Sequence, residues 1–268
     1  MKARVQMAAL DLDGTLLGED LSVSAPVRRA LARAQGRGVT IVLATGRAYP
    51  SARDFQASLG LTGPIVCYQG AVARGPTGDL WLHTGLPRGV AAAAAEYASA
   101  RGDHVTFYAS DVVLLRSLAR TGEFYDRWFG LPRRILKSWR DLPPSPTKLL
   151  VVARDADHGH GVEAAWKSRF EGQMAVVRSH DLFVEGVAPG VSKGAALAVV
   201  AGHLGVHRSR VMAVGDNDND VSMLAWAGIG VAMGGAPAAV ADQADAVAPG
   251  VADHGAAWAL ERYAGAGE

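Results

Sequence analysis

The stretch AALDLDGTLLGED, residues 8–20, sets two acids, Asp11 and Asp13, where an apolar run ends and a Gly-Thr turn begins. Residues 4–10 read as a short buried strand. In an open parallel α/β sheet, ligands bind outside the carboxyl ends of the strands, and that is where these acids fall. Side chains two apart on an extended chain project to the same side. Two close carboxylates repel, so one pKa rises or a cation sits between them. A hard divalent ion such as Mg²⁺ prefers oxygen ligands of this kind. Asp-x-Asp-Gly alone is a common turn. Its place after an apolar strand and before Thr15 is what points to chemistry.

Outward from this stretch, strand and helix alternate. Ser24 and Pro26 open a helix to about Gln35, stopped by Gly36 and Gly38. VTIVLA (39–44) and PIVCY (64–68) are continuous apolar runs of the kind buried on both sheet faces. Residues 48–58 read as helix, and a Gly-rich hairpin region extends to about 82. The last part repeats the style, with helices at 192–204, 219–226, 237–242 and 253–263 and strands at 210–215, 229–233 and 245–248. Such alternation predicts a doubly wound parallel sheet covered by helices.

The middle differs. HVTFYA (104–109) and VVLLR (112–116), separated by Ser-Asp, read as a hairpin. LPPSP (142–146) excludes helix and central strand. Strands at 147–153 and 174–179 flank a helix at 160–170. The reading is an α/β core, residues 1–82 and 187–268, with an inserted α+β domain over 83–186.

Composition narrows the function classes. The 268 residues are 49% hydrophobic and 20% charged, a globular balance. A net charge of +1 gives no electrostatic case for nucleic acid or an anionic membrane. No run approaches the roughly 18 apolar residues of a membrane span, and the N-terminus turns acidic too soon for a secretory signal. The single cysteine, Cys67, excludes an internal disulfide and fits a reducing cytoplasm. Oligomeric state is not legible.

Three further clusters sit at strand ends or a helix start. LATGR (43–47) puts Thr45, Gly46 and Arg47 after a strand; VSKG (191–194) puts Lys193 at the start of a helix, where N–H groups and a cation can face an anion. VGDNDND (214–220) puts Asp216, Asn219 and Asp220 after another strand. Together they can hold one Mg²⁺ and one phosphoryl group. Asp216, Asp218 and Asp220 imitate a calcium loop, but the required Gly and Glu are Val221 and Ala227. GIGVAMG (228–234) has the wrong spacing for a dinucleotide loop. HGH (158–160) reads as a solvated loop rather than a metal site. Trp128, Trp139 and Trp166 could stack on a substrate, but core or cap packing is the stronger reading for at least two of them.

DLDGTLL, ATGR, VSKG and GDNDND occur in the order and spacing of the haloacid dehalogenase-like phosphatases, and the chain resembles their Cof-type subfamily, with the long insert similar to a C2-type (IIB) cap. The resemblance implies a Mg²⁺-dependent phosphatase acting through an aspartyl-phosphate on a small phosphorylated metabolite. A sugar phosphate is favoured, with a phosphorylated cofactor such as pyridoxal phosphate or a flavin nucleotide as the alternative. It implies Asp11 as nucleophile and metal ligand, and Asp13 as general acid/base whose backbone carbonyl reaches the metal. Thr45, Gly46, Lys193 and Asn219 would bind phosphate, Asp216 would complete the metal set, and Arg47 and Asp220 would give support. The cap would close over the site and set substrate choice. Two rival readings are a phosphotransferase or phosphomutase and a silent regulatory binding module. The chain departs from the family at Gln69, in QGA where Asn-Gly-Ala is frequent, and at DHG (253–255), where Asp-Gly is common.

Overall fold

Why the acids gather at one sheet edge follows from strand order. The computed structural model describes residues 4–18, 20–118 and 130–265; Trp128 lies outside them. In chain order the strands are β1 (Met7–Leu10), β2 (Thr40–Ala44), β3 (Ile65–Cys67), β4 (Val72–Arg74), β5 (Leu80–His83), β6 (His104–Ala109), β7 (Val112–Leu115), β8 (Arg133–Ile135), β9 (Lys148–Val152), β10 (Ala175–His180), β11 (Phe183–Val187), β12 (Val211–Gly215), β13 (Ile229–Ala232) and β14 (Ala246–Val247). The helices are α1 (Ala25–Gly36), α2 (Tyr49–Ser58), α3 (Arg88–Arg101), α4 (Ala156–Arg169), α5 (Lys193–Leu204), α6 (Val221–Trp226), α7 (Ala238–Ala241) and α8 (Gly255–Ala259).

The first unit takes the chain up to Gly46, Ala52–Leu82, and everything from Ser192 on. Its sheet runs β14-β13-β12-β1-β2-β3-β4-β5. From β14 to β3 the pairs are parallel, and β4 turns antiparallel to β3. Successive connections from β1 go to opposite sides, so β1 marks the topological switch point. Met7, Ala9, Val42, Ala44, Val211 and Ala213 pack against α5 and α6. Ala8, Leu10, Ile41 and Leu43, which alternate with them, are buried equally, as a parallel strand covered on both faces requires. α1 begins at the predicted place with Pro26 in its first turn, but Ser24 makes no side-chain capping bond.

The second unit gathers His83–Val191 together with Arg47–Ser51. It therefore runs past the expected border at 186, since β11 continues through that position and its connection to α5 follows. Its sheet order is β10-β11-β9-β6-β7-β8. Ser110 and Asp111 both take positive φ in the β6–β7 hairpin, the backbone of a type I′ turn. One sheet face, carrying Val105, Phe107, Leu149, Val151 and Val184, packs against Ala91, Ala94, Ala95 and Ala98 of α3 and Val162 and Trp166 of α4. The strand register puts Tyr108, Lys148 and Glu185 on the opposite face, where Lys148 and Glu185 form a buried ion pair.

One local expectation is corrected. HGH (158–160) lies inside α4 rather than in a loop, because Asp155 caps that helix by accepting from the His158 N–H at 2.7 Å. Trp166 is fully buried, edge-on to Tyr97, and donates to Asp103; Trp139 packs on the same core. Trp166→Ala should cost about 3–5 kcal/mol, as for truncation of a buried Trp, and Trp166→Phe distinctly less. Urea unfolding measures both; near-wild-type stability for the alanine variant would place Trp166 outside the core.

Candidate active site

The parallel register brings the ends of β1, β2 and β12 level. Leu10 lies opposite Leu43 on one side and Val214 on the other. The ladder runs one residue further, with the Asp11 N–H donating to the Val214 carbonyl at 3.1 Å. The chain then turns sharply. The Leu12 carbonyl accepts from the N–H groups of Thr15, Leu16 and Leu17. Gly14 takes φ 79° there, and a Cβ on it would overlap the Asp216 carboxylate. Glycine is thus required twice, for the left-handed backbone and for the approach of the β12 loop. The Thr15 hydroxyl, fully buried, donates to Asp216 Oδ1 at 3.0 Å and joins the two loops.

The loop after β12 is shaped by its own acids and amides. Asp220 Oδ2 accepts from the N–H groups of Asp216 (2.9 Å) and Asn217 (3.1 Å). The Asn217 side chain in turn accepts from Asp218 N–H at 2.8 Å. This reciprocal capping folds DND into a 3₁₀ turn leading into α6. α5 starts at Ser192, whose hydroxyl accepts from Ala195 N–H at 3.2 Å. The next residue, Lys193, is buried to 1% exposure. Its Nζ donates to Asp11 Oδ1 at 2.8 Å and to Asp220 Oδ1 at 2.6 Å.

Oxygens of Asp11, Asp216 and Asp220 lie within 4.8 Å of one another. Asp13 is exposed and its carboxylate is outside this group. Burial pushes the Asp11 carboxyl well above its ordinary range; Asp220 adds the largest repulsion, Lys193 pulls back, and Asp216 and Asp13 contribute less. The crowding that the sequence assigns to Asp11 and Asp13 thus comes chiefly from Asp220. Burial, then Asp220, raises Asp216 to about 7, against a downward pull from Thr15 and Lys193. Burial alone would lower Lys193, but Asp11 and Asp220 outweigh it and hold it above an ordinary lysine. One ammonium among three clustered carboxylates leaves negative charge uncompensated. An all-oxygen set of this kind fits a hard divalent cation.

Thr45 and Gly46 follow β2 at the same edge. Thr45 is fully buried, and its N–H donates to the Val66 carbonyl at 2.9 Å. Asn219 Nδ2 donates to Gln69 Oε1 at 2.9 Å. Arg47 is half-buried and groups with the second unit. Of the expected residues, the structure brings Asp11, Lys193, Asp216 and Asp220 together directly. It sets Thr45 and Gly46 beside them by register and ties Asn219 to the turn after β3. Sequence reasoning missed the Thr15 and Gln69 bonds, and gave Asp220 a lesser place than its contact with Lys193 warrants.

The sequence profile described as haloacid dehalogenase-like hydrolase matches residues 8–260. The chain belongs to this family. It is 29% identical over 280 aligned residues to the 5-amino-6-(5-phospho-D-ribitylamino)uracil phosphatase YitU of Bacillus subtilis, covering 98% of this chain and 99% of that one. It is 31% identical to the HMP-PP phosphatase of Cronobacter sakazakii over 86% of this chain and 85% of that one. The crystal structure of a haloacid dehalogenase-like hydrolase from Bacteroides thetaiotaomicron superposes with a TM-score of 0.84 at 29% identity, covering 97% of this chain and 99% of that one. Among the described residues, no helix is long and apolar enough to cross a membrane.

The raised Asp216 pKa has a definite sign for stability. With a chelator present, folded Asp216 keeps a proton that the unfolded chain releases near 3.8. Its contribution is full below that pH and is lost as pH rises through about 7. Wild-type thermal stability should therefore fall relative to Asp216→Asn across this window. Added Mg²⁺ should restore it most at the alkaline end, where the ionised acids bind the cation. A wild-type advantage that grows with pH in chelator would contradict this.

Proposed function

We propose that this protein is a Mg²⁺-dependent phosphatase that hydrolyses a small phosphorylated metabolite, a sugar phosphate in the first instance, in a reducing cytoplasm. The observation that carries the reading is the Lys193 ammonium bridging Asp11 and Asp220 beside Asp216. The relatives named as phosphatases support it.

Asp11 is the nucleophile. An oxygen of its carboxylate attacks phosphorus, the bond from phosphorus to the substrate oxygen breaks, and an aspartyl-phosphate forms. Lys193 sits against the attacking carboxylate and offsets charge on the transferring group. Asp13, exposed to solvent, gives its proton to the leaving alkoxide and later takes one from the water that attacks the aspartyl-phosphate. That second step frees Asp11 and releases inorganic phosphate. The Thr45 hydroxyl, the Gly46 N–H and the Asn219 amide donate to phosphoryl oxygens. Asp11, Asp216 and the Asp13 carbonyl would hold Mg²⁺. Asp220, both of whose oxygens are engaged by Lys193 and backbone N–H groups, acts as support. When bound, the cation supplies charge neutralisation at the phosphoryl oxygens.

Purified protein should release phosphate from members of a phosphometabolite panel with Mg²⁺ and not with EDTA. Asp11→Asn should abolish turnover, and Asp13→Asn should lower kcat by roughly 10²–10⁴. Release indifferent to EDTA and to Asp11→Asn would refute the reading. Transfer to added sugar with little free phosphate would replace hydrolase by phosphotransferase.

A further inference from the structure

We infer that Gln69, through its hydrogen bond to Asn219, is a positioning residue for the phosphoryl site. The inference rests on the phosphatase reading above. Gln69 lies in the short turn Tyr68–Gly70 after β3, which packs against the start of α5. It has φ 61° and ψ 19°, and Tyr68 before it has φ 53°. Two successive side-chain residues in the left-handed region are unfavourable, and such a conformation persists where its surroundings over-determine it. The surroundings here are the two phosphate loops. The Gln69 N–H donates to the Thr45 carbonyl at 3.3 Å. Its side chain is only 2% exposed. Oε1 accepts from Asn219 Nδ2, and Nε2 fills the space that a Cβ on Gly46 would need. One side chain therefore touches the loop after β2 and the loop after β12.

The chemical consequence concerns which end of Asn219 meets the phosphoryl group. A primary amide has two N–H donors and one carbonyl acceptor. Gln69 Oε1 accepts only from the donor end, so it holds Asn219 Nδ2 in place with one N–H left to give. Asn219 Oδ1 is buried without a hydrogen-bond partner. If the amide turned over, that oxygen would replace the donor and oppose phosphoryl oxygens, which are acceptors. Gln69 selects the donating orientation and keeps it ready before substrate arrives, the preorganisation that electrostatic stabilisation requires.

The test is the affinity of inorganic phosphate for the Mg²⁺-loaded protein, read by calorimetry and as product inhibition, alongside KM and kcat. Gln69→Leu keeps the volume and loses the acceptor. It should weaken phosphate binding and raise KM about fivefold, the size of one hydrogen bond's net contribution. Asn219→Ala should weaken binding too, and the double variant should be no weaker than Asn219→Ala alone, because Gln69 acts through Asn219. Multiplicative losses in the double variant, or unchanged phosphate affinity in Gln69→Leu, would overturn the inference. If Gln69→Leu fails to fold, Gln69→Met carries the same comparison, since it too lacks an amide. Wild-type protein that turns over substrate but shows no effect of Gln69 substitution defeats this inference alone. Wild-type protein that neither releases nor binds phosphate defeats both this inference and the phosphatase reading.

Discussion

The molecule's chemistry depends on one buried cation. Lys193 is enclosed at the first residue of α5 and spans Asp11 and Asp220. A buried ammonium persists only with well-placed anions, and a buried carboxylate needs a similar partner. Each therefore fixes the other. Lys193 ties the start of α5 to the end of β1 and to the loop after β12, elements far apart in sequence. Removing it would leave Asp11 and Asp220 facing each other in a buried site with no counter-charge. The packing of α5 on the sheet, through Ala196, Leu197 and Val200, is the apolar support that makes this arrangement rigid.

The same charge balance explains why the site is incomplete without a further positive charge. Lys193 satisfies two acids in part, and Asp216 is left with Thr15 as its hydrogen-bond donor and a pKa raised to about 7. In the proposed reaction a divalent cation would resolve the excess, and the phosphoryl group would bring negative charge for the cation and Lys193 to share. Gly14 permits the crowding, because only a residue without Cβ lets Asp216 approach the turn after β1.

Much of this was legible in the sequence because most of the chemical residues follow an apolar run, and Lys193 opens a helix. Asp11 and Asp13 after β1, Thr45 after β2 and Asp216 after β12 mark strand ends without any knowledge of tertiary structure. What escaped was non-local or lacked contrast. Asp220 outweighs Asp13 as the neighbour of Asp11, and that follows only from the fold. The Gln69–Asn219 bond spans 150 residues, and in the sequence Gln69 stands out only as a departure from the family pattern. α3 escaped because a run of alanines shows no apolar–polar alternation, although Ala91, Ala94, Ala95 and Ala98 have helical spacing and are the buried face. The expected border at 186 fell inside β11, since nothing in FVEGV marks the strand's end.

The proposed hydrolysis turns on Asp11 making a covalent bond to phosphorus. The most direct measurement is to quench the protein during turnover, reduce with borohydride, and map the product by peptide mass spectrometry. An acyl phosphate at Asp11 would be reduced to an alcohol, converting that one residue to homoserine. This conversion should appear at Asp11 only, and only with substrate and Mg²⁺ present. Steady turnover with Asp11 unmodified under those conditions, or modification at another acid, would contradict it.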